Sequence, residues 1–216
     1  MSDAHVPSLA DFKLSDEEDA AVTLALAQKH PWNHMCKELK DVRDHLISAK
    51  DKLADFHMER QKDACCYCRS ILAGMGPYQR DREHILPKKD KFSQLAYDPA
   101  NLSVSCKRCN MEYKRERTDF VEDVDTILPD YKNSERYRIV HPNFDRWEDY
   151  LERIVMQSRT GILVTYVFDP AVPKAAFTYD FFGLNELEIN SFDECQGLHS
   201  VRQIIEIIDM EIPDRI

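Results

Sequence analysis

Glycine is nearly missing from the first third of this 216-residue chain: there are five in all, and none precedes Gly74. Such a stretch has few tight or left-handed turns, which predicts a helical N-terminal region. Long uncharged runs are also lacking, so no segment is long enough to cross a bilayer. The opening MSDAHVPSL has no basic-then-apolar leader pattern, and the expected compartment is the cytoplasm. Positive charge is in deficit, with 29 Lys and Arg against 39 Asp and Glu and a net charge of −10. That balance disfavours general affinity for nucleic acid across the whole surface. Neither internal repeats nor low-complexity segments are evident, and 43% hydrophobic residues describe an ordinary globular protein.

Cysteine is plentiful by contrast. Five of the seven fall between Cys65 and Cys109, in two tight clusters. In a reducing compartment such clustering favours metal over disulfides. Cys65-x-x-Cys68 and Cys106-x-x-Cys109 supply four thiolates, and each pair spans one edge of a tetrahedral Zn²⁺ site with bonds of about 2.3 Å. Cys66-x-Cys68 is the alternative first pair. A zinc ion with four thiolates has no open position, so its expected role is structural. The bland alternative, reduced core cysteines, does not account for two pairs at one spacing.

Three regions follow. Residues 1–63 form a helical N-terminal region. Ser15 and Glu18 make a capping box ahead of a short helix to Lys29, and Pro31 separates it from a longer one. There Met35, Leu39, Val42, Leu46, Ala49, Leu53 and Phe56 recur at heptad spacing. Such a seam either lies on the chain's own domain or docks a partner. Residues 64–118 hold the cysteines. Residues 119–216 are expected to be mainly helical and mixed, with partner docking as one possibility. "FVEDVDTILPDY" reads as a helix, "HPNFDRWEDYL" as a turn entering a helix, and "GILVTYVFD" as a strand. His141 beside Pro142 is taken as structural. Ser191 and Glu194 suggest another capping box before a helix with Val201, Ile204, Ile205 and Ile208.

Between the cysteine pairs lies DREHILP, then Asn101-Leu102, and Asn110 follows the last cysteine. Phosphodiester hydrolysis needs a base for water and a cation for the phosphate and leaving oxygen. His84 suits the base, and Glu83 with the amide oxygen of Asn110 suits Mg²⁺ or Mn²⁺. The order C-x-x-C, E-H-I-x-P, N-L, C-x-x-C-N-x-x-x-K resembles the HNH endonucleases with their ββα-metal site, over about a quarter of the chain. The resemblance implies an α+β protein, mostly helical, around that core. It gives His84 as general base, Asn101 as the residue that holds the hairpin loop and orients the histidine, and Glu83 and Asn110 as cation ligands. Aspartate is more usual at position 83, and because neighbouring strand residues face opposite ways, Asp81 is the reserve ligand.

Charge is partitioned. Arg69 to Arg117 carries eleven basic and six acidic residues, a net of +5, leaving −15 elsewhere. Lys88, Lys114, Arg115 and Arg117 are the expected phosphate contacts, with Lys89 and Lys91 nearby. The acidic remainder fits a nuclease targeted by another protein. The helical N-terminus, the HPNFD stretch and "FFGLN" are similar to the HNH effector subunits of Septu and retron anti-phage systems, which implies an ATPase partner. Two rival readings are a non-catalytic zinc adaptor for nucleic acid or protein and a toxin-like nuclease that needs no partner.

Overall fold

Ser15 caps the first helix as its spacing to Glu18 predicts. Its hydroxyl accepts from the Glu18 N–H at 3.3 Å, and the Glu18 carboxylate accepts from the Ser15 N–H at 2.8 Å. In the computed structural model, which describes residues 5–36, 39–76, 78–159 and 161–191, this opens α1 (Asp16–Leu26) of an α+β fold. Helix α2 (Lys40–Arg60) packs against it. Ser48 and Lys52 of α2 donate to the Glu18 carboxylate at 2.6 and 2.7 Å. Burial alone would raise the Glu18 pKa, but these donors hold it down at about 2.

The heptad seam is used inside the chain. Leu46, Ala49 and Leu53 are buried with Ala21, Val22 and Ala25 of α1 and with Trp32, Tyr97 and Leu102. Met35 and Leu39 precede the helix, and Leu39 is 56% exposed. The docking reading of this seam is therefore corrected: its central residues have no free face to offer a partner.

Strand β1 (Arg80–His84) pairs antiparallel with β2 (Leu102–Cys106), with Glu83 opposite Ser103 and His84 opposite Leu102. A short π-helix, Arg108–Lys114, follows β2 and stops at Arg115, whose φ is +52°. A second sheet joins β3 (Glu152–Gln157), β4 (Ile162–Val167) and β5 (Ile189–Asn190), with α3 (Pro173–Phe181) after β4.

Two expected helices give way. Over 120–131 only Leu128–Asp130 is helical, as one 3₁₀ turn. Phe120 accepts from the Arg138 N–H and the Glu122 N–H donates to Arg136, while the Asp123 carboxylate takes the Asp125 N–H and the Thr126 hydroxyl. These bonds compete with helical ones. After His141, Trp147–Asp149 forms one 3₁₀ turn and the chain then enters β3 instead of a helix, because its backbone pairs with β4. The expected strand at "GILVTYVFD" is β4. The capping box at Ser191–Glu194 and its helix lie outside the described residues, apart from Ser191 itself.

One core runs from Met58 to Leu184 and includes Cys65, Cys68, Val104 and Cys109. Segment 64–118 thus shares its interior with 119–191. Tyr67 stacks on Phe182 at 4.2 Å, and the Tyr166 hydroxyl donates to the Cys68 carbonyl at 2.7 Å. Arg108 donates to the carbonyls of Phe182 and Gly183 at 2.9 and 2.8 Å. Gly183 sits at φ +53°, and a Cβ there would lie 2.5 Å from the Tyr113 ring.

Candidate metal centre and adjoining clefts

The first CxxC pair sits on the loop between α2 and β1, and the second begins at the last residue of β2 and runs into the π-helix. Pairing β1 with β2 brings the two together. The sulfurs of Cys65, Cys68, Cys106 and Cys109 all lie within 4.8 Å of one another. Cys68 and Cys106 are 3.8 Å apart, the edge of a tetrahedron with bonds of about 2.3 Å. All four are free thiols, three of them buried. Backbone N–H groups of Cys106 and Cys109 donate to the Cys65 and Cys106 sulfurs at 3.3 and 3.4 Å, as they would to thiolates. Four sulfurs at this spacing can hold a metal ion and are compatible with structural zinc. Cys66 is outside the group; its N–H donates to the Val104 carbonyl. Among the described residues no other cluster of three or more Cys, His, Asp or Glu ligand atoms is gathered this closely.

The π-helix lies over one face of β1. Side chains alternate along a strand, so Asp81 and Glu83 share that face, and residues 110 and 114 of the helix meet them in step. Asn110 Nδ2 donates to Asp81 Oδ2 at 3.2 Å, and Lys107 Nζ reaches Asp81 Oδ1 at 3.2 Å. Lys114 Nζ contacts Glu83 Oε1 at 2.7 Å with both side chains almost wholly buried. It also donates to the carbonyls of His84 at 2.6 Å and Arg115 at 3.3 Å. Tyr67 donates to the same Glu83 oxygen at 3.1 Å. Burial pushes the Glu83 carboxyl up, and the adjacent Lys114 pulls it back.

The acid hydrogen-bonded to Asn110 is therefore Asp81, the reserve candidate, whereas Glu83 is engaged by Lys114 and Tyr67. Lys114 cannot meet phosphate as expected from the sequence, because its ammonium is enclosed and already has acceptors.

His84 belongs to the opposite strand face, with Arg80 and Arg82. Its ring stands edge-on to Trp32 with centroids 4.5 Å apart. His84 Nε2 lies 3.0 Å from the Ala96 carbonyl. A carbonyl only accepts, so Nε2 carries the proton and Nδ1 keeps the lone pair. Burial, reinforced by Lys88, lowers the pKa to about 3, so the ring is neutral near pH 7. Asn101 ties down the connection after β1: Oδ1 accepts from the Leu86 N–H at 2.8 Å, and Nδ2 donates to the carbonyls of Leu86 and Leu95 at 3.1 and 3.4 Å. Its own carbonyl takes the Ile85 N–H.

Glu83, His84, Lys88, Asn110 and Arg115 line a cleft of about 320 Å³. A neighbouring cleft of about 790 Å³ carries Arg80, Asp81, Arg82, Lys88, Lys107 and Asn110. Of the basic residues singled out above, Lys88 and Arg115 are exposed at these walls. Arg117 pairs with Asp119 and lies over the Phe181 ring at 3.9 Å. Arg80, Arg82 and Lys107 escaped the sequence reading; the alternation in Arg80-Asp81-Arg82-Glu83 was the available signal, since it puts the two arginines on one strand face.

Comparison with protein-family models, with curated proteins and with solved structures gave no match. No helix among the described residues is long and apolar enough to cross a membrane.

Proposed function

We propose that this chain is a metal-dependent endonuclease of the HNH type, with a structural zinc at the four cysteines. The observation that carries the reading is His84: a neutral ring whose Nε2–H is fixed by Ala96, leaving the Nδ1 lone pair on a residue that lines the same cleft as Asn110. The order of antiparallel strands and helix, with Asn101 bracing the connection, supports it. Asp81 with the Asn110 amide oxygen, or Glu83 through Oε2, would hold Mg²⁺ or Mn²⁺, which keeps most of its shell as water and substrate phosphate. When bound, the cation supplies charge stabilisation to the phosphate and the leaving oxygen. His84 Nδ1 takes a proton from water as the water oxygen bonds to phosphorus and the P–O3′ bond breaks. Lys88, Arg115, Arg80 and Arg82 neutralise flanking phosphates.

The test is cleavage of labelled single- and double-stranded DNA and of RNA with Mg²⁺ or Mn²⁺. His84→Ala should lose about 10²- to 10⁴-fold in rate. Unchanged cutting by the variant would overturn the role of His84. The acidic remainder of the chain supports targeting by another protein, and the resemblance to the Septu and retron effector subunits extends this to a cytoplasmic role in anti-phage defence with an ATPase partner. Co-purification and cleavage with and without that partner test this part.

The zinc adaptor is the second reading, and the enclosed Lys114–Glu83 pair favours it by placing an ammonium against one of the two candidate acidic ligands. It predicts bound zinc, no second metal and no cleavage with any partner.

A further inference from the structure

At the C-terminus of α2, the HPNFDRW stretch lines a separate cavity of about 400 Å³. Its walls come from the N-terminal segment at Val6, the end of α2, the first cysteine loop and residues 140–148. It shares no residue with either cleft beside His84.

Donors dominate it. Lys62, Arg69 and Arg146 line it and make no ion pair among the described residues. Lys62 and Arg69 are held at φ +54° and +57°. The Asp145 carboxylate, the nearest opposing charge, is already engaged by Lys174 Nζ at 2.9 Å and the His141 N–H at 2.7 Å. Glu148 is the remaining acid in the wall. His141 is 1% exposed, and its Nδ1 accepts the Asn143 N–H at 3.1 Å. That bond fixes the neutral tautomer with the proton on Nε2. Trp147 is 6% exposed, and its indole N–H is buried with no acceptor among the described residues. A buried donor of this kind costs free energy unless something accepts from it.

We propose that this cavity binds a phosphate monoester with an apolar body, of mononucleotide size. Three unpaired cations beside one free acid call for a ligand of more than one negative charge, and arginine forks match phosphate oxygens. Val6, Val140, Pro142 and the Trp147 ring supply the apolar wall. The volume falls within the range of small-ligand sites. Gln61 also lines the cavity while its side chain accepts from Ser103 and the Val104 N–H of β2 at 2.7 and 2.8 Å, so occupancy would be felt by the hairpin.

The test uses the full zinc-loaded chain and calorimetric titration with 5′-AMP, adenosine and inorganic phosphate. Binding of 5′-AMP alone is the expected result. The Lys62→Glu/Arg146→Glu variant should bind at least about 10-fold more weakly, from the loss of charged hydrogen bonds, with zinc content and circular dichroism retained. Trp147→Phe keeps the ring and removes the N–H; it should weaken 5′-AMP while leaving the urea midpoint unchanged or raised. A 5′-phosphorylated dinucleotide that displaces 5′-AMP would assign the monoester to a strand end, and failure to displace would assign it to a free nucleotide. No heat with 5′-AMP, equal affinity for adenosine, equal affinity for phosphate alone, or undiminished binding by both variants would each overturn the proposal. None of these readouts depends on nuclease activity.

Discussion

Asn110 and Asp81 meet across helix and hairpin, amide to carboxylate at 3.2 Å, while four residues further on Lys114 closes on Glu83 at 2.7 Å. The two contacts engage the two acids of one strand face differently, one with a neutral amide and one with a buried ammonium. Asp81→Asn should lower cleavage and raise the Mg²⁺ needed for half-maximal rate, each by at least about 10-fold, with the urea midpoint little changed. Glu83→Gln should act chiefly on stability. If Glu83→Gln alone alters the Mg²⁺ dependence, the ligand is Glu83 after all.

Lys114→Met removes the charge that favours an ionised Glu83 and leaves an enclosed carboxyl with only Tyr67 to donate to it. Breaking a buried pair in this way costs about 3–5 kcal/mol, measurable by urea unfolding. The double variant Lys114→Met/Glu83→Gln should regain most of that loss.

The thiolate cluster predicts one tightly held zinc per chain by elemental analysis. Cys109→Ser should lose the metal and the cooperative transition together, since closing the cluster joins the α2–β1 loop to the end of β2. Cys66→Ser should keep the zinc, because its sulfur is outside the group.

Acid should weaken the fold. Burial holds His84 and His141 near pKa 3, against an ordinary value of 6.5. Below pH 6.5 the unfolded chain takes up protons that the folded one refuses, so stability is full above 6.5 and falls as pH drops towards 3. The urea midpoint should decline between pH 7.5 and 5, and His84→Asn should flatten part of that slope. If His84 is the base, the acid limb of cleavage should lie well below pH 6, and Lys88→Ala should move it upward.

Local signals in the sequence transferred well. The Ser15 box, the apolar run of β4 and the two CxxC pairs each depend on neighbours within a few residues or on one repeated spacing. What resisted reading depended on distant pairing. Residues 120–131 have helical composition, yet Arg136 and Arg138 claim their backbone. Lys114 reads in the sequence as a phosphate contact in a basic run, and only the register of helix on strand shows that it fills a buried position against Glu83. The choice between Asp81 and Glu83 turns on that same register.

The grip of Arg108 on the carbonyls of Phe182 and Gly183, with the Tyr113 ring filling the space beside that glycine, has a consequence for biosynthesis. A ribosome that has released residues 1–120 has already exposed every cysteine of the cluster, His84 and Asn110. The helix bearing Asn110 then waits for some sixty further residues before its clamp exists. Truncated translation products would therefore lack the clamp on the segment that carries Asn110, which ties the proposed cleavage to completion of the chain.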